Sequence, residues 1–183
     1  ACLVRLLADS TILKFGCGIE SDVRHFLSYY PVASVDAVLA GCVDLSLFAA
    51  LTGRVEPSQP YGLKRLAEVF GQPLTKPKRV QMSRWDRVPL AMDQVAYAAQ
   101  DAAIAIWLAA MVHGSAAGGD SAALCEVARP YAGRGGPGLH QLLKSRSLWD
   151  GLPESACEII AGFKSEREAA TRARALRKQG VGG

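Results

Sequence analysis

Apolar positions recur most regularly over 88–112, where Leu90, Val95, Ala98, Ala102, Ile106, Ala109 and Val112 stand mostly three or four residues apart with small residues between them. That period predicts a buried helix beginning after Pro89. Upstream, Cys2 to Ala8 reads as a short apolar helix ending at Asp9-Ser10. Ile12 to Gly18 is a compact apolar run with glycines at its end, which predicts a buried strand. Ser21 offers an N-cap to a helix from Asp22 to about Tyr29, closed by Pro31. Gly41 to Ala50 passes from a short strand into a helix, with Asp44 placed as a cap, and Thr52 to Pro60 has the composition of a surface loop. Tyr61 to Gly71 is amphipathic, with Leu63, Leu66, Ala67 and Phe70 on one face, and Pro73 to Arg87 has no period.

Glycine-rich breaks at Gly114 to Gly119 and Arg134 to Gly138 predict a domain over 1–113, a flexible linker region over 114–150, and a basic helical tail over 151–183. The tail reads as two short helices, Glu154 to Gly162 and Glu166 to Gln179, the second opened by Ser165 and Glu168 in capping-box spacing. Strands alternating with helices make the chain α/β, mostly helical with a small sheet.

Composition narrows this picture. A length of 183 residues suits one domain with a short appendage. No charge-free apolar run reaches the roughly 18 residues of a membrane span, the nearest being Ala102 to Val112, so no membrane segment is expected. The net charge of +4 is mild and sits mostly in the tail: residues 1–113 carry 11 basic and 10 acidic groups, the remainder 10 and 7. Five cysteines form no C-x-x-C pair and several lie in apolar runs, which favours a reducing, intracellular setting. His25, His113 and His140 make no ligand-spaced cluster with cysteine, which argues against zinc. The chain starts at Ala1 with no visible targeting peptide.

Candidate chemistry begins with Tyr97 and Asp101, one helical turn apart and therefore on one face. A carboxylate on an apolar helix needs a partner. A metal ion would supply one; the alternative is that Asp101 caps or pairs with an arginine and Tyr97 packs with its hydroxyl solvated. Asp22 stands at a strand-to-helix turn, where functional groups collect in α/β folds, although the helix dipole alone also favours it there. Lys76, Lys78, Arg79, Arg84 and Arg87 surround Trp85 in one loop, a mixture suited to phosphate contact and base stacking; the alternative is a solvated loop anchored by its tryptophan. Arg167, Arg172, Arg174, Arg177 and Lys178 make the last helix basic, with Glu166 and Glu168 diluting the charge.

Four stretches in register carry a resemblance: Ile12 to Asp22, Gly62 to Ala67, Ser83-Arg84-Trp85, and Tyr97-Ala98-Ala99-Gln100-Asp101. Over Leu3 to Val112 the chain resembles the DEDDy class of 3′-to-5′ exonucleases, which includes ribonuclease D and the Werner exonuclease domain. Within that class it looks most like the exonuclease 3′-5′ domain-containing protein 2 group. The resemblance implies a ribonuclease H-like fold and hydrolysis of single-stranded or 3′-ended DNA or RNA, with work such as DNA repair in the nucleus or mitochondrion. It also implies two ions, Mg²⁺ or Mn²⁺, held by four carboxylates. Asp22 and Asp101 match two of these metal ligands, and Tyr97 matches the tyrosine that orients the attacking water. Lys76, Arg84 and Trp85 are the candidate nucleic-acid contacts. The family's first motif, Asp-x-Glu on an earlier strand, has no counterpart here, and Asp9 lacks a glutamate two residues on. The expectation is therefore the carboxyl-terminal part of such an enzyme, lacking its first strands and inactive alone. The alternative is a non-catalytic nucleic-acid-binding or scaffold remnant. A threonine that often precedes the family's last helix is also missing, so a cap worth about 1 kcal/mol is expected to be lost.

Overall fold

The computed structural model describes residues 2–31, 33–57, 61–114, 120–134 and 138–179, the side chains of 138–140 and 176–179 excepted. The chain opens with α1 (Cys2–Ala8) and then β1 (Lys14–Gly16), shorter than the predicted Ile12-to-Gly18 strand. The helix α2 (Ile19–Tyr29) begins three residues before the predicted start. Its N-cap is Gly18, in the left-handed region at φ 68°, so Ser21 lies inside the first turn instead of capping it. Glycine adopts that backbone without the Cβ clash that any other residue would meet. The short helix α3 (Val35–Leu39), capped by Ser34 Oγ, leads into β2 (Cys42–Asp44).

β1 and β2 pair in parallel, Lys14 opposite Cys42 and Gly16 opposite Asp44, with α2 and α3 forming the crossover. This is the two-stranded sheet found among the described residues, so the fold is mostly helical α/β.

Asp44 ends β2 and caps α4 (Leu45–Leu51), as its place between strand and helix predicts. Every residue of α4 is buried, and Leu45, Phe48 and Leu51 are fully enclosed, each contributing about 1.5–3 kcal/mol. The long α7 (Met92–His113) packs on α4, and α5 (Leu63–Val69) packs on α7 and adds Leu66 and Ala67 to the same core, while the single-turn helix α6 (Lys78–Gln81) interrupts the predicted irregular loop.

By length and composition α7 passes the test for a membrane span. It packs instead against β1, α4, α5, α6 and α8 (Ser121–Ala128), and it carries a paired carboxylate at its middle. The prediction of a buried helix holds for one side only: Ile104, Ala105, Leu108, Ala109 and Val112 are in the core, whereas Val95 and Ile106 are exposed.

The segment expected as linker differs from its prediction. α8, a 3₁₀ turn at Arg129–Tyr131 and α9 (Gly138–Lys144) put Leu124, Ala128, Tyr131, Leu142 and Leu143 into the same core as α4 and α7. The glycine-rich stretches 115–119 and 135–137 lie outside the described residues. A 3₁₀ turn at Arg146–Trp149 precedes α10 (Glu154–Gln179), which is one continuous helix. Gly162 does not break it and Ser165 caps nothing, because Ala156 and Ile160 anchor its first half to the core and helix propagation carries the rest.

Candidate nucleic-acid interface

The carboxyl ends of both parallel strands meet at Asp44. Its Oδ1 accepts from Leu47 N at 3.1 Å as the cap of α4, and its Oδ2 accepts from Gly18 N at 2.7 Å. One buried carboxylate thereby holds the N-terminus of α2 to the N-terminus of α4. Such a doubly bonded cap is worth roughly 2 kcal/mol or more. Beside it the Cys17 thiol is pushed up to about 12, first by burial and then by the Asp44 charge, with Lys76 acting in the opposite sense. Lys76 therefore lies within electrostatic reach of the end of β1.

Lys76 is the centre of the arrangement. Its Nζ donates to Asp101 Oδ2 at 2.9 Å and forms an ion pair with Oδ1 at 2.8 Å. The Lys76 side chain is 17% exposed and that of Asp101 32%, so the pair is partly shielded and stronger than a surface pair. The same ammonium lies 5.6 Å from the Tyr97 ring centroid, and the Trp85 ring meets Tyr97 edge-on at 5.9 Å. Tyr97 and Asp101, one turn apart on α7, thus share Lys76 as a partner. Of the alternatives open at the sequence level, Asp101 pairs with a base, but with a lysine in place of an arginine.

Gln94, a residue the sequence argument passed over, fixes the loop that carries Arg84 and Trp85. It is 3% exposed, and its Nε2 donates to Ser83 Oγ and Arg84 O, both at 2.9 Å. Its Oε1 accepts from Ala91 N at 2.9 Å, so half of a capping box forms although Ala91 has no side-chain acceptor. The missing threonine is partly offset in this way. The visible signal was a glutamine three residues past the N-cap of an apolar helix.

Arg84 extends into solvent and pairs with Asp86 at 3.1 Å, an exposed contact that leaves the guanidinium available. Trp85 Nε1 donates to Gln81 O, which holds the indole upright while 38% of the residue stays exposed. Lys76, Trp85, Tyr97 and Asp101 therefore converge, with Arg84 at their rim. Asp22 is exposed in the first turn of α2 and makes no hydrogen bond or ion pair among the described residues.

As a metal centre the set is incomplete. Carboxylate oxygens suit hard divalent ions, but Lys76 occupies both oxygens of Asp101. Among the described residues no group of three or more Asp, Glu, His or Cys side chains is placed to hold an ion. The residues present do not by themselves fit a two-ion site.

Residues 1–111 match the family model described as 3′-5′ exonuclease. Over 107 residues the chain is 39% identical to the Homo sapiens protein named exonuclease 3′-5′ domain-containing protein 2, and 37% identical to its Mus musculus counterpart. Each alignment covers 58% of this chain and 16% of the relative. A 3′-5′ exonuclease of Drosophila persimilis is 33% identical over 102 residues, 55% of this chain and 28% of the relative. The chain thus spans less than a third of the length of these relatives. No solved structure matches it significantly.

Proposed function

We propose that this chain, which belongs to the 3′-5′ exonuclease family, supplies the second and third motifs of a metal-dependent exonuclease acting on single-stranded or 3′-ended DNA or RNA, and by itself binds such strands without cutting them. The observation that carries the reading is the convergence of Lys76, Trp85, Tyr97 and Asp101 beside the carboxyl ends of two parallel strands. An indole left 38% exposed and a rim guanidinium are groups that stack a base and hold phosphate, while Lys76 ties Tyr97 to Asp101 beside them.

The family is generally dependent on divalent metal, and Mg²⁺ or Mn²⁺ is the ion proposed for a complete site. Asp22 and Asp101 are the carboxylates this chain offers toward it, and Tyr97 is the hydroxyl one turn from Asp101 on α7. Two carboxylates, one of them already paired with Lys76, are too few to hold two divalent ions, so strand binding without hydrolysis is the activity proposed for this chain. In a longer form bearing an Asp-x-Glu pair, shortening from a 3′ end is expected to require divalent metal and to be abolished by Asp101→Ala.

The Lys76–Asp101 pair also favours a second reading, a non-catalytic remnant of the fold in which the lysine has taken the cation's place. Joining the Asp-x-Glu segment of a relative to this chain separates the two. Recovery of metal-dependent shortening supports the exonuclease reading, and salt-sensitive binding with no cleavage supports the remnant.

A further inference from the structure

The chain's excess positive charge gathers in one place outside the segment matched to the family. α9 and α10 enclose an open groove of about 570 Å³ that runs past Lys144, Lys164, Arg167 and Arg172, with Glu168 as the carboxylate on its wall. A second hollow of about 360 Å³ continues from it through Leu143 and Lys164 to Arg146 and Trp149. The Arg146 guanidinium lies 5.5 Å from the Trp149 ring, and that indole is held by Nε1 donating to Leu142 O at 2.7 Å.

Five cations face one carboxylate along this path, a surplus equal to the +4 of the whole chain. None of the five is in an ion pair among the described residues. Lys164, Arg167, Thr171 and Arg172 follow one face of α10, and eight residues of helix span about 12 Å. A continuous, open, cationic path of that length with an aromatic at one end matches a flexible polyanion carrying stackable rings, and not a compact ligand.

We propose that the α9–α10 groove is a second binding track for the backbone of single-stranded nucleic acid. This rests on the proposed function, since it extends the same strand to another part of the chain. The lysines and arginines neutralise successive phosphates, and the Arg146–Trp149 stack receives a base.

The test uses the full chain, a fluorescein-labelled oligothymidylate of 20 nucleotides and anisotropy titrations between 50 and 200 mM salt. The variant Lys164→Ala/Arg167→Ala/Arg172→Ala is expected to bind at least tenfold more weakly at the low-salt end. Its log–log salt slope should fall by about 2, from three lost phosphate contacts at about 0.7 each. Arg174→Ala, on the same helix outside the groove, is expected to bind within twofold of the parent. All four positions are exposed, so circular dichroism is expected to be unchanged.

Equal losses in Arg174→Ala and the triple variant would overturn the groove in favour of diffuse charge. Competition by polyglutamate or by phosphatidylserine vesicles as strong as that by oligonucleotide of equal charge would overturn the choice of ligand. If Trp85→Ala abolishes binding and the triple variant does not, the groove fails while the proposed function stands. The reverse pattern sustains the groove and removes Trp85 from the reading.

Discussion

The two carboxylates proposed for a metal centre are positioned by different parts of the molecule. Asp101 sits on α7, whose Ile104, Ala105, Leu108 and Ala109 enter the large core built on α4, α5, α8 and α10. Asp22 sits on α2, which buries Val23 and Leu27 in a separate small cluster with Val38, Leu39 and Cys42. A three-residue ladder, the Asp44 carboxylate, Gly133 N donating to Cys42 O and the Arg129 guanidinium donating to Ser10 O and Thr11 O join the halves. Side chains on one core keep their relation to each other through packing. A geometry that spans two cores depends on the few bonds between them. The pairing of Lys76 with Asp101, and the absence of a hydrogen-bonding partner for the exposed Asp22 among the described residues, fit this difference.

The largest effect is expected where the halves are joined. Asp44→Ala removes the cap of α4 and the acceptor for Gly18 N, and should cost about 2–4 kcal/mol in urea unfolding. It should also speed amide exchange in α2 more than in α7, whereas Asp44→Asn, which keeps a capping oxygen, should lose less than half as much. Equal loosening of both helices would erase the distinction between the cores. Next comes Gln94→Ala, expected to cost about 2 kcal/mol through three lost hydrogen bonds and to free the loop around Trp85, read as a rise in indole quenching by iodide.

A smaller loss, about 1 kcal/mol, is expected for Lys76→Met, because Asp101 is about a third exposed and water screens the unpaired charge. That variant should nevertheless gain weak Mn²⁺ binding detectable by water-proton relaxation, since Asp101 is no longer neutralised. No gain would argue that the lysine is not what keeps a cation out. The last effect is absent at neutral pH and confined to alkaline conditions. With its folded-state value raised from 9.0 to about 12, the Cys17 thiol stays protonated while the unfolded chain ionises, so its stabilisation is intact below pH 9 and is lost as pH climbs from 9 toward 12. Cys17→Ala should flatten that limb of the stability profile.

Much of the domain was legible because its signals are local. The period over 88–112, the cap at Asp44 and the glycine at the end of β1 each act within a few residues, and each appears where predicted, to within a short shift. The resemblance carried by four short stretches agrees with the family match over residues 1–111. What stayed illegible depends on pairings across the chain. Lys76 meets Asp101 across 25 residues and Gly18 meets Asp44 across 26, and neither follows from spacing. The folding of 121–144 onto the main core was hidden by glycine-rich flanks that imitate a linker, although Leu124, Leu142 and Leu143 are buried. In α10, anchoring by Ala156 and Ile160 outweighed the glycine expected to divide it.

The most direct test of the central claim is an incubation of this chain with 5′-labelled single-stranded DNA and RNA in Mg²⁺ or Mn²⁺, with binding and strand length read from the same samples. The account predicts salt-sensitive binding weakened by Trp85→Ala, and full-length strand at every time point. Metal-dependent shortening from the 3′ end by this chain alone, abolished by Asp101→Ala, would contradict it.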